Sequence, residues 1–254
     1  MIVKIKSNMQ NPQIQSLISG GRSQCKKTTD MKKYYQLEFT LDPKIRGRYE
    51  MPHTVEITSK EFRAYKISHA MNMRMFLENE ATFYKDMPKD LTGKLLKRKS
   101  CIDFMTNSPF CLTLIAVVSE KVKRIFDNLG VSEAECIFKK ITIKKEEGNY
   151  YLMFVPFIHG TEFIYSETEF IPIFGETEVK HFKDYEEYFN TPGYYTVKKV
   201  TLPEKYASYK ILHPQAADVF YSEDIIKAFE EEKVEGYDIK TGGKYLLELC
   251  FDNE

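Results

Sequence analysis

Two β-rich runs near the middle of this chain are joined by a short link. The first run is CIFKKITIK (136–144) and the second is YYLMFVPFI (150–158), with KEEGN between them. β-Branched and aromatic residues are typical of strands, and a short glycine-containing link favours an antiparallel hairpin. Pro156 predicts that the second strand ends, bulges or lies at a sheet edge at that point. An antiparallel sheet is therefore the expected base of the fold.

Other runs of strand composition surround this hairpin. The continuous apolar run CLTLIAVV (111–118) predicts a strand buried on both faces. Two runs near the C-terminus, VEGYDI and YLLELCF, flank the sequence TGG and are expected to be closing strands around a turn. The remaining predicted strands lie in MIVKIKSN (1–8), YYQLEFTLD (34–42), HTVEIT (53–58), SCIDFM (100–105), GYYTVKKVTL (193–202), VEGYDI (234–239) and YLLELCF (245–251).

Two segments about a hundred residues apart, VVSEKVKRIF and FYSEDIIKAF, predict similar amphipathic helices. Ser119 and Ser222 precede acidic residues, so each is expected to cap a helix by accepting a hydrogen bond from the first turn. Gly130 is placed to end the first helix in a left-handed conformation. A further helix is predicted within 59–78, with Ser59 as its N-cap. The likeness of the two segments is open to two readings, common capping chemistry or a shared unit.

Composition narrows the class of protein. Hydrophobic residues make up 43% of the 254 residues and aromatic residues 14%, which is typical of an ordered globular chain. Basic and acidic side chains balance at 37 each, so no global charge favours nucleic acid or an anionic membrane. No apolar run approaches the length of a bilayer span, and the N-terminus does not read as a signal peptide. A cytoplasmic protein without nucleic-acid or membrane partners is expected.

The expected fold class is α+β, mainly antiparallel sheet with a few amphipathic helices. The segment Lys85–Lys99 carries six basic and two acidic side chains and is interrupted by proline and glycine. It is interpreted as a connector. The predicted division is an N-terminal β-rich part over 1–95 and an α+β domain over 96–254.

The region from about residue 100 to the C-terminus resembles the immunity proteins of bacterial polymorphic toxin systems, in a branch long catalogued as a domain of unknown function. The resemblance rests on Val118-Ser119 at a helix start, the hairpin, the acidic aromatic stretch and the segment YSEDIIKAFEEEKVEGYDI. It implies a protein that binds and blocks a cognate protein toxin. It implies no catalytic residues and no cofactor, and it gives no counterpart for residues 1 to about 95.

Sequence motifs for catalysis and metal binding are absent, so the protein is expected not to be an enzyme and to hold no metal. His159 or His213 could form a dyad with Cys111 or Cys136 only if the fold brought them together. A hydrolase with such a non-local Cys/His site is the alternative function. The sequence ETEVKH (176–181) offers Glu and His side chains, but a surface cluster is the expected interpretation.

The segment 161–190 is the predicted partner-binding region. It holds eight acidic and two basic side chains among many aromatic ones. Aromatic side chains supply rigid contact area, and carboxylates attract a basic partner. The alternative is that the aromatic residues complete the core while the acidic residues face water. The predicted contact residues are Glu162, Tyr165, Glu167, Glu169, Glu176, Glu178, Asp184, Tyr185, Glu186 and Glu187.

Overall fold

The structure of the protein is a computed structural model that describes residues 33–46, 51–96, 100–174 and 178–252. The strands in these ranges are β1 (Tyr34–Phe39), β2 (Thr54–Ile57), β3 (Leu91–Leu95), β4 (Phe104–Ser108), β5 (Leu114–Ser119), β6 (Ile137–Ile143), β7 (Tyr150–Phe154), β8 (Glu169–Pro172), β9 (Tyr195–Pro203), β10 (Ile211–Leu212), β11 (Phe220–Ser222), β12 (Tyr237–Ile239) and β13 (Glu248–Asp252). The helices are α1 (Pro43–Arg46), α2 (Lys60–His69), α3 (Met73–Phe83), α4 (Glu120–Asn128), α5 (Tyr185–Asn190) and α6 (Glu223–Glu231). The fold is mixed α+β with mostly antiparallel pairing, as predicted.

The predicted hairpin is confirmed and forms part of a closed barrel. Strands β6 and β7 pair antiparallel, with Ile137 opposite Phe154 and Ile141 opposite Tyr150. Strand β7 ends at Phe154, two residues before Pro156. The barrel closes in the order β2-β3-β6-β7-β5-β4, and helices α2 and α3 contribute Phe62, Phe76 and Phe83 to its core. The barrel strands and these two helices share one core cluster.

The predicted boundary at residue 95 is wrong. Strands β2 and β3 precede it and β4 to β7 follow it, yet all six belong to one barrel. Within the predicted connector, Leu91 and Gly93 turn inward while Lys94 is exposed and pairs with Glu56 at 2.9 Å. In the sequence, a strand with a basic outer face looks the same as a solvated linker. Only the neighbouring strands that pair with it distinguish a strand from a linker.

The two similar helices pack against each other. The rings of Phe126 and Phe229 lie 6.2 Å apart between α4 and α6. Both belong to one core cluster with Leu37 of β1. Gly130 has φ +67° at the end of α4, which confirms its predicted role. The residues that turn inward from the two helices are Val122, Ile125, Phe126, Ile225, Ile226 and Phe229.

The predicted serine caps are correct at only one of three positions. Ser59 Oγ accepts a hydrogen bond from Phe62 N at 3.3 Å. Ser119 instead donates to Asp103 Oδ1 at 2.7 Å and makes no cap bond. Ser222 Oγ is buried with no hydrogen-bond partner among the described residues, so it does not cap α6. Tertiary neighbours, which differ at the two helices, decide what each hydroxyl does.

Two further sheets lie in the same compact unit, which spans residues 32–254. One has the order β10-β11-β1-β12 and the other the order β13-β9-β8, with β13 parallel to β9. The last two predicted strands exist, but they do not pair around the TGG turn. Strand β12 joins β1 and β13 joins β9, so the two lie in different sheets.

Candidate interaction surface

The aromatic residues of the predicted partner-binding segment are largely core residues. Tyr165 is only 7% exposed and stacks on Phe170 with ring centroids 5.9 Å apart. Phe163 and Phe182 are buried in the same cluster. Tyr165 therefore cannot offer its ring to a partner, which corrects its predicted role. The physical reason is that the segment supplies β8 itself, and its aromatic side chains fill one core cluster with Val197, Val200 and Leu202 of β9.

Several acidic residues of the segment have local partners. Lys205 and the Tyr206 hydroxyl hydrogen-bond to Glu162, and Lys205 holds the pKa of that carboxyl below its usual value. Glu169 lies 3.7 Å from the ammonium of Lys198. These carboxylates contribute to the local structure of the β8-β9 region.

The short helix α5 uses two further acidic residues at its start. Asp184 caps it by accepting a hydrogen bond from Glu187 N at 2.9 Å. The carboxylate of Glu187 accepts one from Lys183 N at 2.7 Å. Tyr185 is half-buried, and its hydroxyl lies 3.4 Å from Gln215 Nε2. These side chains therefore stabilise the local structure of the segment.

Three of the predicted acidic residues remain on the surface without such roles. Glu167, Glu178 and Glu186 are exposed. Glu176 lies outside the described residues. The alternative, in which aromatic side chains fill the core and acidic ones face water, describes most of this segment.

The surface feature with the strongest interface character is a set of three adjoining clefts that share Ala216. The sheet cleft, about 430 Å³, is lined by residues that include Phe39, Phe110 and His213. The tyrosine cleft, about 380 Å³, is lined by residues that include Phe189, Tyr194 and Ala216. The C-terminal cleft, also about 380 Å³, is lined by residues that include Tyr195, Lys240 and Tyr245. Met73 joins the first two clefts, and Asp218 joins the first and third.

Large apolar side chains stand exposed around these clefts. Phe110 is 70% exposed and Tyr194 is 73% exposed. Phe174, at 76%, lies edge-on to the Tyr194 ring with centroids 6.3 Å apart. Phe189 and Tyr245 are each more than 40% exposed. Exposed apolar groups gathered around concave surface are typical of protein interaction sites.

The backbone at the centre of this surface is firmly held. Ala216 has φ +61°, which is unusual for a residue with a side chain. Its carbonyl oxygen accepts hydrogen bonds from Thr196 Oγ1 at 2.7 Å and from Val197 N at 3.1 Å. Gln215 N donates to Ile158 O at 2.9 Å. These bonds fix the loop to β9 and to the segment after β7, so the backbone at Ala216 loses little entropy on binding.

None of the sequence-based predictions includes this surface, although a local signal exists for it. Phe110 follows Ser-Pro, Tyr194 follows Pro-Gly, and Tyr245 follows Gly-Gly-Lys. Each large aromatic residue thus comes directly after turn residues, which keep a side chain at the surface. Their convergence depends on the sheets and could not be read from spacing.

One of the predicted Cys/His combinations shares a cleft. Cys111 and His213 both line the sheet cleft, whereas Cys136 is buried in the first core cluster. Burial raises the pKa of the Cys111 thiol to about 12 and lowers the pKa of His213 to about 4. At neutral pH the thiol is protonated and the imidazole is neutral. His213 Nδ1 donates to Val155 O at 2.9 Å, which fixes the tautomer.

The other predicted histidine has a different partner. His159 Nε2 lies 2.5 Å from Glu80 Oε2, so it joins α3 to the segment after β7. Among the described residues, no group of three or more His, Cys, Asp or Glu side chains is arranged to hold a metal ion. Within the same ranges, every helix is too short or too polar to cross a membrane.

Comparison with known proteins adds no assignment. No protein-family profile matches the chain, and no curated protein matches it significantly. The resemblance to immunity proteins therefore stays a prediction based on its motifs.

Proposed function

We propose that this chain is a non-enzymatic, cytoplasmic immunity-type protein of a bacterial polymorphic toxin system, which binds a cognate protein toxin and occludes it. The observation that carries the proposal is the exposed aromatic surface around the three clefts that share Ala216. The sequence resemblance supplies the class of partner.

The chemistry of this surface supports binding by side-chain burial. Aromatic side chains such as Phe110 and Tyr194 lose little rotamer entropy when a partner covers them, and each can bury a large apolar area. The clefts beside them can accept side chains of a partner. Because the loop at Ala216 is fixed by backbone hydrogen bonds, the surface is ready for a partner without rearrangement.

The protonation states of Cys111 and His213 in the sheet cleft favour a binding role over Cys/His catalysis. A nucleophilic cysteine needs a lowered thiol pKa and a neighbouring base. Cys111 has a raised pKa, and burial keeps His213 from accepting a proton near neutral pH. The alternative hydrolase rests only on the shared cleft of these two residues. Slow modification of Cys111 by iodoacetamide at neutral pH is expected, and rapid modification would favour the hydrolase.

The test is binding and protection with the product of the neighbouring gene. We expect the purified pair to form a complex, and co-expression of this chain to restore growth of cells that express the neighbour. Tyr194→Ser and Phe110→Ser should each weaken binding about tenfold, because each removes an aromatic anchor. Ile67→Ser is the matched control, since Ile67 is 58% exposed but lines none of the three clefts.

The outcomes separate the surface from the function. A neighbour that neither binds nor arrests growth would overturn the proposed function. Binding that survives both aromatic substitutions, or that Ile67→Ser weakens equally, would keep a binder but reject this surface.

A further inference from the structure

The sheet cleft opens where strand pairing changes sides along β1. Tyr34 and Gln36 of β1 pair with β11, whereas Leu37 and Phe39 pair with β12 on the opposite side. Beyond Gln36, the segment 217–219 faces β1. Residues of β1 and residues of this segment both line the cleft. The cleft is thus a gap between β1 and the chain that leads into β11.

Acidic side chains lie on both sides of β1, with Asp218 across the gap and Asp238 on β12 at the opposite edge. Glu38 pairs directly with Asp238 on the neighbouring strand, and both are exposed. Continuing the β1–β11 register places Asp218 opposite Glu38 on the other side, and Asp218 also lines the cleft. Asp218 is bound by Lys240 at 3.2 Å. Like charges on directly opposed strand residues destabilise a sheet, so the Glu38–Asp238 pair is unfavourable in the free protein.

The interior of the cleft is apolar and offers hydrogen-bond acceptors. Its walls include Leu37, Phe39 and Phe104, and none of the described residues that line it is Lys or Arg. Its one imidazole, His213, is neutral at pH 7 because burial lowers its pKa to about 4. Asn107 lines the cleft too, and its Oδ1 is buried with no hydrogen-bond partner among the residues described.

We infer that the sheet cleft binds a basic segment of the partner, with a Lys or Arg stem along the apolar walls and its cationic head against Glu38 and Asp238. This inference rests on the proposed function and names the chemistry of the toxin surface. A long basic side chain has an apolar stem and a donor-only head, which match the walls and the carboxylates. Its charge would also relieve the repulsion between Glu38 and Asp238.

The first experiment measures association with the purified neighbouring gene product. The variant Glu38→Gln with Asp238→Asn keeps the shape of both side chains and removes both charges. We expect about tenfold weaker binding, a slower association rate and a weaker dependence on salt. The control Glu133→Gln with Glu147→Gln neutralises two exposed acids that do not line the sheet cleft and should change the affinity less than about twofold. The melting temperature of the cleft variant should stay equal or rise, which separates lost binding from lost folding.

The second experiment needs no natural partner. Fluorescent peptides of alternating lysine and leucine, glutamate and leucine, and lysine and serine are titrated into the full chain. We expect the lysine–leucine peptide to bind best and to lose at least about fivefold in affinity with the cleft variant. Equal binding of the glutamate–leucine peptide, or no loss with the variant, would overturn the inference.

The two experiments distinguish the two failures. If the neighbouring gene product does not bind even the unaltered chain, the proposed function fails, while the peptides still decide the chemistry of the cleft. If the product binds the unaltered chain and the cleft variant equally well, the inference fails and the proposed function stands.

Discussion

Position 236 tolerates only glycine, for two separate reasons. Its φ is +113°, and a Cβ atom there would lie 2.1 Å from the carbonyl oxygen of Phe104. The backbone on both sides is also bonded, with Phe104 N donating to Glu235 O at 2.9 Å. The close approach ties the end of α6 to the start of β4. It explains the glycine in the segment GYDI without reference to a partner.

We expect Gly236→Ala to destabilise the protein by at least about 3 kcal/mol, because backbone strain and a steric clash add. Gly243→Ala is the matched control. Gly243 has φ +95° but open space around the position of a Cβ, so its cost should be about 1–2 kcal/mol. Urea unfolding followed by circular dichroism measures the free energy of unfolding of both variants. Equal losses of stability would show that the backbone near Phe104 shifts to make room for the added methyl group.

His213 gives a pH dependence of stability. Its pKa is 6.5 in the unfolded chain and about 4 in the folded protein, because burial disfavours the imidazolium. The unfolded state therefore binds the proton first as the pH falls. Stability is full above pH 6.5 and is lost toward pH 4, by roughly 3 kcal/mol from this group.

His213→Asn keeps a donor for Val155 O and removes the titrating group. We expect the variant to lose less stability than the parent between neutral pH and pH 4, as measured by urea unfolding at each pH. His181→Asn serves as the control, since His181 is exposed. An unchanged pH profile in His213→Asn would mean that the imidazole becomes protonated in the folded protein without cost.

Among the helices, three serines that were each predicted to cap a helix have three different structural roles. Ser59 caps α2, Ser119 donates to Asp103, and Ser222 Oγ is buried without a partner among the described residues. Asp103 also accepts from Lys121 Nζ at 2.7 Å and from Glu235 N at 3.1 Å, so it joins α4 to the segment between α6 and β12. The local pattern predicts where each helix begins but not what the hydroxyl binds.

The three serine-to-alanine variants should therefore rank differently. Ser59→Ala should cost about 1 kcal/mol through its cap. Ser119→Ala should cost about 1–3 kcal/mol, because it removes a hydrogen bond to a charged group. Ser222→Ala should be neutral or stabilising, since the hydroxyl is buried unsatisfied. Thermal unfolding of the three variants measures this order, and equal costs would support simple capping at all three positions.

At the scale of the whole molecule, the barrel crosses the boundary that composition had indicated. We expect a fragment of residues 96–254 not to fold cooperatively, because it lacks β2 and β3 of the barrel and β1 of the adjacent sheet. Near-ultraviolet circular dichroism and a urea titration test this against the full chain. A cooperative transition in the fragment would restore the predicted two-part division.

Most of the strands and helices follow from local sequence patterns. Alternating and helical periodicities reflect which side chains leave water, and this preference acts over a few neighbours, so β6, β7, α4 and α6 were predictable. The positive φ at Gly130 followed from the same local rule. Strand pairing and the convergence of distant side chains, in contrast, depend on the folded chain as a whole. Contacts between distant residues decide the partner of each strand, the role of each serine and the burial of Tyr165. They also bring Phe110 and Tyr194 to the clefts that share Ala216. Such contacts produce no recognisable pattern of residue spacing in the sequence.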